Sequence, residues 1–458
     1  MRFSVLAIDL FERPVRLRMP FRFGVVTLRE APQAFVRARI RLENGAEGEG
    51  AAAELLAPKW FDKSPALSNE QNFDQLRTSL SLARDAYLAG GANTGYGHFM
   101  AHYREQITAG ARRGLNRLTA CFGPALIDRA LLDALCSSLG VSFYEAVRGN
   151  LPGIDVPRDF LQALAPRSRI AVRHTVGLAD PIGHDEAKPR VDDGLPESLE
   201  EVIGRYGNRW FKLKLAGDMR LDVKRLRAIA AVLDRLAEPY AATLDGNEQY
   251  EHVAAVLEFW HTVKAEPRLA RLVSSIAFIE QPIKRQNAMD ADVSALAREK
   301  PVLIDESDDA LNSFARARSL GYAGVSSKAC KGLYKSILNA VRCREWNREE
   351  GQERYFISGE DLTTQAGLAV QQDLALASVL GLQHVERNGH HYVNGMAGLP
   401  EGEQTAFLEA HPDLYERSHG AVRLRILGGE LAIGSLGCPG FATSALPDWD
   451  FMKEMKTP

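Results

Sequence analysis

The hydrophobic pattern of this chain changes character once. In the first part, residues 3–11 and 34–43 alternate between apolar and polar positions, as strands with one buried face do. A hairpin signal at Asn44-Gly45 joins the second of these strands to a third. Residues 69–148 then follow the period of amphipathic helices. An antiparallel sheet followed by helices predicts an α+β domain over residues 1–160.

Short apolar runs alternate with helical stretches through residues 165–403. Eight β–α units in about 230 residues match the dimensions of a closed parallel barrel. A doubly wound open sheet has the same alternation, but no glycine-rich phosphate loop follows an early strand. The predicted strands cover residues 170–177, 210–215, 240–244, 276–280, 301–304, 323–328, 354–358 and 382–386.

Several segments lie outside these patterns. Loops predicted at residues 19–29 and 57–63 are rich in aromatic side chains, so they either pack against a partner domain or line a pocket. An insert at residues 179–198 is rich in Asp, Gly and Pro, and we expect it to cover the barrel mouth. The tail at residues 404–458 loses the βα pattern, and we expect it to return to the N-terminal domain.

Composition narrows the functional classes. The chain has 458 residues, of which 45% are hydrophobic and 25% charged, as in ordinary soluble globular proteins. The net charge of -3 predicts no electrostatic steering towards nucleic acid or membranes. The five cysteines form no CxxC pair, and the apolar run at the N-terminus is too short for a signal peptide. We therefore expect a cytoplasmic protein with reduced thiols.

Residues 211–215 place two lysines on one face of a predicted strand. Strict alternation puts Lys212 and Lys214 together, opposite three apolar side chains. On a solvated sheet this is an ordinary basic strand. Inside a barrel each ammonium would disfavour protonation of the other, and a lysine with a lowered pKa is a suitable general base near neutral pH.

Three successive predicted strands end in an acid: Asp245, Glu280 and Asp305. A single acid at such a position is more often a helix cap or a loop residue. Strands of a parallel barrel end at one mouth, however, so the three carboxylates would repel one another unless a cation lay between them. Oxygen ligands favour a hard divalent cation such as Mg²⁺, with Mn²⁺ as an alternative.

The next predicted strand ends at Lys328. In a ring of eight strands the second and the sixth lie opposite each other. Lys214 and Lys328 would therefore face each other across the metal site. This arrangement suits chemistry at one carbon with a base on each face.

This ordered set of residues resembles the enolase superfamily, and within it the muconate-lactonizing-enzyme-like subgroup of the mandelate racemase/muconate lactonizing enzyme family. The resemblance implies a modified TIM barrel, (β/α)7β, over residues 165–403, with an α+β capping domain made from residues 1–160 and the tail. The motifs that carry it are Lys212-x-Lys214, Asp245-x-Asn247, Glu280-Gln281-Pro282, Asp305-Glu306-Ser307 and Lys328.

The resemblance also implies an isomerase or lyase that acts on a small-molecule carboxylic acid. It implies Mg²⁺ on Asp245, Glu280 and Asp305, and catalysis by Lys212, Lys214 and Lys328 through abstraction of the proton α to a carboxylate, with a metal-stabilised enediolate intermediate. Racemisation or epimerisation, cycloisomerisation, and dehydration of an acid sugar or other hydroxy acid share this first step. We expect a homo-oligomer. A catalytically silent barrel that acts as a binding protein is the alternative from another class.

Substrate identity is not determined by the sequence. Gly332-Leu333 stands where a Gly-Gly pair is usual in the family, and the role of Lys331 stays open. For His390-His391 the simplest interpretation is a solvated loop pair. Candidate substrate contacts are Phe21, Phe23, Thr27, Trp60, Asn247 and Glu360.

Overall fold

A computed structural model describes residues 1–24, 26–186 and 189–457. Its N-terminal part is an antiparallel sheet in which a long hairpin pairs with a third strand, and a short strand near the C-terminus adds to the other edge. These strands are β1 (Phe3–Phe23), β2 (Val26–Leu42), β3 (Glu47–Leu55) and, from the tail, β16 (Lys453–Glu454).

Helices cover one face of this sheet. The central helix, Phe122–Leu139, packs closely on β3 because Gly50 has no side chain; a Cβ there would lie 2.1 Å from the backbone nitrogen of Ala134. The helices of this part are α1 (Asn69–Ala89), α2 (Gly95–Arg112), α3 (Arg117–Ala120), α4 (Phe122–Leu139), α5 (Phe143–Arg148) and α6 (Arg158–Gln162).

The predicted barrel is confirmed. Eight parallel strands pair in chain order, and the last closes on the first through the register His384↔Ala171 to Arg387↔His174. Apolar side chains from the strands and the surrounding helices form the core between them. The strands are β4 (Arg169–Val176), β5 (Trp210–Lys214), β6 (Ala241–Asp245), β7 (Ile276–Glu280), β8 (Val302–Ile304), β9 (Gly324–Ser327), β10 (Phe356–Gly359) and β11 (His384–Arg387).

Helices connect the barrel strands on the outside, and none of those in the described ranges is long and apolar enough to cross a membrane. They are α7 (Leu199–Tyr206), α8 (Met219–Leu233), α9 (Val253–Ala265), α10 (Ala270–Ser275), α11 (Arg285–Ala288), α12 (Ser294–Ala297), α13 (Ser313–Ser319), α14 (Leu333–Glu350) and α15 (Leu368–Val379), and the last barrel strand is followed by α16 (Gly389–Tyr392) and α17 (Glu401–Ala410).

The tail contacts both parts of the molecule. Its strand β16 pairs with β1 of the cap, whereas β15 pairs antiparallel with the start of barrel strand β4. The remaining tail strands form short antiparallel pairs. The tail strands not yet named are β12 (Tyr415–Ser418), β13 (Ala421–Leu424), β14 (Ile426–Leu427) and β15 (Glu430–Ala432).

The prediction of a loop at residues 19–29 is wrong. These residues form the tip of the β1–β2 hairpin, with Phe21 opposite Leu28 and Phe23 opposite Val26. A shift of register between Arg16 and Phe21 interrupts the alternation, which hid the strand from pattern analysis. Val25 of the predicted loop lies outside the described residues. The loop predicted at residues 57–63 is irregular in the structure, as expected.

Candidate active site

The register of the barrel aligns the predicted residues at its mouth. Lys214 lies opposite Asp245, and Asp245 lies opposite Glu280, across three neighbouring strands. Asp305 follows the last residue of β8. All four side chains are buried. The sequence pattern of strands that end in charged residues therefore produces one continuous charged layer.

Lys212 lies at the centre of this layer. Its Nζ contacts carboxylate oxygens of Asp245 at 3.0 Å and Glu280 at 2.8 Å. It also contacts Glu360 at 2.7 Å and Glu386 at 2.8 Å. Burial by itself would lower the pKa of Lys212, but the four carboxylates outweigh it and hold that pKa well above its ordinary value. Lys212 is therefore a charged bridge between acids in this structure.

Glu386 was not among the residues predicted for the site. It is the penultimate residue of strand β11 and follows the apolar Val385, a signal similar to the one that identified Asp245 and Glu280. Its carboxylate also accepts a hydrogen bond from the hydroxyl of Thr175 at 2.5 Å. The pKa of Glu386 is lowered well below its ordinary value: burial would raise it, but Lys212 and other lysines outweigh burial.

Lys214 and Lys328 project from opposite strands of the ring, β5 and β9. Lys214 Nζ donates to Asp245 Oδ2 at 2.6 Å, and Lys328 Nζ donates to Asp305 Oδ2 at 2.6 Å. Burial would lower the pKa of Lys328, but the Asp305 carboxylate outweighs it and raises that pKa. Each lysine is thus paired with one of the predicted metal ligands.

Lys331 and Asp308 form a second group of charged contacts around Asp305. Lys331 Nζ donates to the hydroxyl of Ser326 at 2.8 Å and to the backbone carbonyl of Asp305 at 3.3 Å. It also lies 2.9 Å from Asp308 Oδ2. Ser326 in turn donates to Asp305 Oδ1. These contacts fix the carboxylate of Asp305 from the side opposite to Lys328.

A cavity of about 20 Å³ lies between the two lysines and the cap. That volume holds about one water molecule. The Trp60 ring lies over Lys328 Nζ at 4.2 Å, and the Phe23 ring over Lys214 Nζ at 6.0 Å. The lining residues are Phe21, Phe23, Leu28, Ala57, Trp60, Lys214, Asn247, Lys328, Asp361, Leu362, Thr363 and Asn388.

Two of the six predicted substrate contacts do not lie at this cavity. Thr27 is exposed, because alternation along β2 turns Val26 and Leu28 inward instead. Glu360 lies deeper in the barrel, where its carboxylate binds Lys212 and Arg173. Glu360 as a substrate contact therefore stays a prediction, and its observed partners are internal. The four that line the cavity are Phe21, Phe23, Trp60 and Asn247.

Ion pairs hold the segment at residues 57–63 against the barrel. Lys63 Nζ lies 2.5 Å from Glu248 and 3.1 Å from Glu306. Arg285 donates to the backbone carbonyl of Trp60 at 2.8 Å and to that of Phe61 at 2.9 Å. These contacts keep the Trp60 ring over the cavity.

The hairpin tip is held by the insert at residues 179–198, of which Ala187 and Lys188 lie outside the described part. Arg18 pairs with Asp193 at 2.5 Å and donates to the backbone carbonyl of Pro196 at 3.2 Å. Tyr392 donates to Asp180 at 2.5 Å and stacks on Phe21. The described residues of the insert thus fasten the cap hairpin beside the mouth.

The interpretation of His390-His391 as a solvated loop pair is wrong. The two residues form part of α16, and their ring nitrogens are buried without hydrogen-bond partners in the described part of the chain. The His391 ring lies 4.9 Å from that of His174. Burial lowers the pKa of both His390 and His391 well below the ordinary value and that of His174 to about 3. All three rings are therefore neutral near pH 7.

The donor set fits a hard divalent cation in its chemistry. Asp245, Glu280 and Asp305 offer only oxygen, and Glu280 Oε2 has no hydrogen-bond partner although Lys212 Nζ lies nearby. Burial, then Asp245, raises the pKa of Glu280, as expected where negative charge lacks compensation. Within the described ranges no three His, Cys, Asp or Glu side chains are arranged to hold a metal ion, and Lys212 Nζ contacts both Asp245 and Glu280.

Comparisons with known proteins support the fold. No protein-family model matches the sequence, and no curated protein is significantly similar to it. Solved structures match over nearly the whole chain. An enolase from Streptomyces coelicolor has a TM-score of 0.63 at 17% identity, covering 98% of this chain and 95% of that one.

Two further solved structures are similar to the same extent. A 2-chloromuconate cycloisomerase from Rhodococcus opacus 1CP has a TM-score of 0.58 at 17% identity, with 98% of each chain covered. A dipeptide epimerase from Enterococcus faecalis V583, complexed with Mg and L-Leu-L-Tyr, has a TM-score of 0.59 at 15% identity, covering 96% of this chain and 99% of that one. The chain therefore has the capped TIM-barrel fold of these enzymes.

Proposed function

We propose that this chain is an enzyme of the enolase superfamily that removes the proton α to the carboxylate of a small-molecule acid. One observation carries the proposal: Lys214 and Lys328 project from opposite strands of a closed barrel and line the same cavity. A carbon held between them presents one face to each amine. The fold shared with cycloisomerases and epimerases supports this reaction class.

The side chains around the cavity have distinct tasks in this proposal. Lys214 and Lys328 remove or return a proton at Nζ, one on each face of the substrate carbon. Lys212 neutralises the buried acids behind them. Phe23 and Trp60 exclude water, which strengthens the electrostatic interactions inside the cavity.

Asp245, Glu280 and Asp305 would hold Mg²⁺, with Mn²⁺ as the alternative. A bound divalent cation supplies positive charge that stabilises the substrate carboxylate as the α proton leaves. The same residues hold Lys212, Lys214 and Lys328 in this structure. In this proposal the same carboxylates bind either a lysine ammonium or the divalent metal ion. The contacts of each lysine therefore depend on whether the metal ion is bound.

Racemisation or epimerisation, and cycloisomerisation, both begin with this step, and dehydration of a hydroxy acid is the alternative outcome. A silent barrel that only binds a ligand is the alternative from another class.

Incubation with candidate acids in D₂O, with Mg²⁺ present, tests the proposal by the mass increase of the recovered acid. Exchange that Lys214→Ala or Lys328→Ala abolishes for at least one enantiomer of the acid supports it. Exchange of both enantiomers at the wild-type rate in both variants contradicts it.

A further inference from the structure

The cavity between the two lysines has an uneven chemical lining. Six of its residues are apolar, and three of those are the aromatic side chains Phe21, Phe23 and Trp60. Within the described part of the chain, Lys214 and Lys328 are the only cations that line it. Both already pair with carboxylates at 2.6 Å. The lining therefore offers no separate cation to a second carboxylate on a substrate.

The one acid of the lining is not free for a substrate ammonium. Asp361 Oδ2 accepts a hydrogen bond from the backbone nitrogen of Asn388 at 2.8 Å. Its Oδ1 accepts from the backbone nitrogen of Thr364 at 2.9 Å and lies 3.6 Å from Arg387. Both oxygens hold the loops after β10 and β11 together. A charged amine would find no uncommitted carboxylate at this cavity.

Asn388 carries a buried polar atom that lacks a partner in the described residues. The side chain is 1% exposed, and its amide nitrogen donates to Glu386 Oε1 at 3.3 Å. That bond sets the orientation of the amide, and its Oδ1 has no hydrogen-bond partner in the described residues. A buried carbonyl oxygen without a donor is destabilising, so a ligand that donates a hydrogen bond to it gains affinity. Asn247, also at the cavity, has an unpartnered Oδ1 as well.

We infer that the substrate is a monocarboxylic acid whose remaining part is largely apolar and carries one uncharged hydrogen-bond donor, an amide N–H or a hydroxyl, that binds Asn388. This inference rests on the proposed function. It disfavours dicarboxylates, polyhydroxylated acid sugars and acids with a free ammonium. Asn388 acts as a specificity-determining residue, since it touches the substituent and not the reacting carbon.

The cavity is too small for such a molecule in the closed state. Substrate entry therefore requires the cap to move outward. The segment at residues 57–63 is held by ion pairs of the partly exposed Lys63, and a larger groove of about 880 Å³ borders Lys63 and Glu306. The hairpin tip, in contrast, is held by aromatic stacking of Phe21 and by buried Arg18. Outward movement of the Trp60 segment enlarges the apolar side of the cavity and leaves Asn388 in place.

A matched set of probes tests the inference. N-acetylphenylalanine belongs to the inferred class, and N-acetyl-N-methylphenylalanine carries a methyl group in place of the N–H donor. N-acetylglutamate adds a carboxylate, phenylalanine has a free ammonium, and gluconate is polyhydroxylated. The rate of α-proton exchange in D₂O with Mg²⁺ is measured for each probe. We expect exchange of N-acetylphenylalanine about tenfold faster than exchange of its N-methyl analogue, the effect of one lost hydrogen bond.

The variant Asn388→Leu should bring the ratio of these two rates close to one. The matched control is Asn312→Leu, an exposed asparagine outside the cavity, which should keep the wild-type ratio. If Asn388→Leu does not fold, the ratio of the two exchange rates in the wild-type enzyme tests the inference instead. A ratio near one in the wild type, or no exchange of N-acetylphenylalanine, overturns the inference. Faster exchange of N-acetylglutamate, phenylalanine or gluconate overturns the substrate class while it supports the proposed function.

Discussion

The indole ring of Trp60 lies over the ammonium of Lys328, with 4.2 Å between Nζ and the ring centroid. Trp60 belongs to the cap segment at residues 57–63, whereas Lys328 directly follows barrel strand β9. The contact therefore joins closure of the cap to the position of a proposed acid/base group. Because Lys328 also binds Asp305 at 2.6 Å, its amine is held from both sides.

Replacing Trp60 tests this contact. Trp60→Ala removes a buried side chain and should lower the free energy of unfolding by about 3–5 kcal/mol. Trp60→Phe keeps an aromatic face, and we expect it to retain most of the exchange activity. Urea unfolding and α-proton exchange measure the two effects. Full activity in Trp60→Ala would show that the indole does not position Lys328.

The two lysines should have different stereochemical roles in a racemase. Lys214→Ala and Lys328→Ala should each reduce the rate by on the order of 10²–10⁴ for the enantiomer whose proton they remove. Each variant should still exchange the α proton of the other enantiomer in D₂O. Lys284→Ala, at an exposed lysine, is the control and should leave both rates unchanged. In a cycloisomerase or dehydratase only one lysine should be required for exchange.

The acids at the mouth should bind a divalent cation. Adding Mg²⁺ at 100 times its dissociation constant should stabilise the wild-type protein by about 2.7 kcal/mol. Glu280→Gln should lose most of this stabilisation, because it replaces a buried carboxylate by a neutral amide. Thermal unfolding with and without Mg²⁺ or Mn²⁺ measures the difference. Glu299→Gln is the matched control on the protein surface, and an equal loss in that variant would argue against the site.

The ion pairs of Lys63 should hold the cap segment closed. Lys63→Met leaves Glu306 buried without its cation, and we expect a loss of about 2 kcal/mol of stability. The value is below that of a fully buried pair because the Lys63 side chain is 21% exposed. Limited proteolysis should cut the variant faster within residues 57–68. The double variant with Glu306→Gln should recover stability; without such recovery the ion pair is not the cause.

The buried histidines should make the fold sensitive to acid. Burial lowers the pKa of His174 to about 3 and that of His391 well below the ordinary value near 6.5. The unfolded chain therefore gains protons first as the pH falls, and stability present above pH 6.5 is lost towards pH 3. Each such histidine contributes a slope of about 1.4 kcal/mol per pH unit. His391→Phe should reduce the slope measured by urea unfolding between pH 7.5 and 5; an unchanged slope would contradict this.

Much of the barrel follows from the sequence, because each strand carries its own signal. The predicted strand at residues 276–280 coincides with β7, and that at 210–215 includes all of β5. An apolar run that ends in an acid is a local feature, so Asp245 and Glu280 could be placed at the mouth without a structure. The chain order of parallel strands then put Lys214 and Lys328 on opposite sides.

Tertiary structure decided what local patterns could not. Thr27 and Leu28 are neighbours in the sequence, but the register of the hairpin turns only Leu28 towards the cavity. A shift of one position reverses the face of every side chain, so register is decided by pairing across strands and not by composition. His391 is polar in the sequence and buried in the fold, because packing of the segment after β11 leaves it no path to solvent.

The charge state of the site also depended on the assembled barrel. In the sequence Lys212 has only Lys214 as a charged neighbour on its strand face, which predicts repulsion. In the structure four carboxylates, in or directly after four other strands, surround Lys212. Alternation along one strand determines which side chains share a face, but the neighbours across the barrel determine the electrostatic field, and these come from residues far apart in the chain.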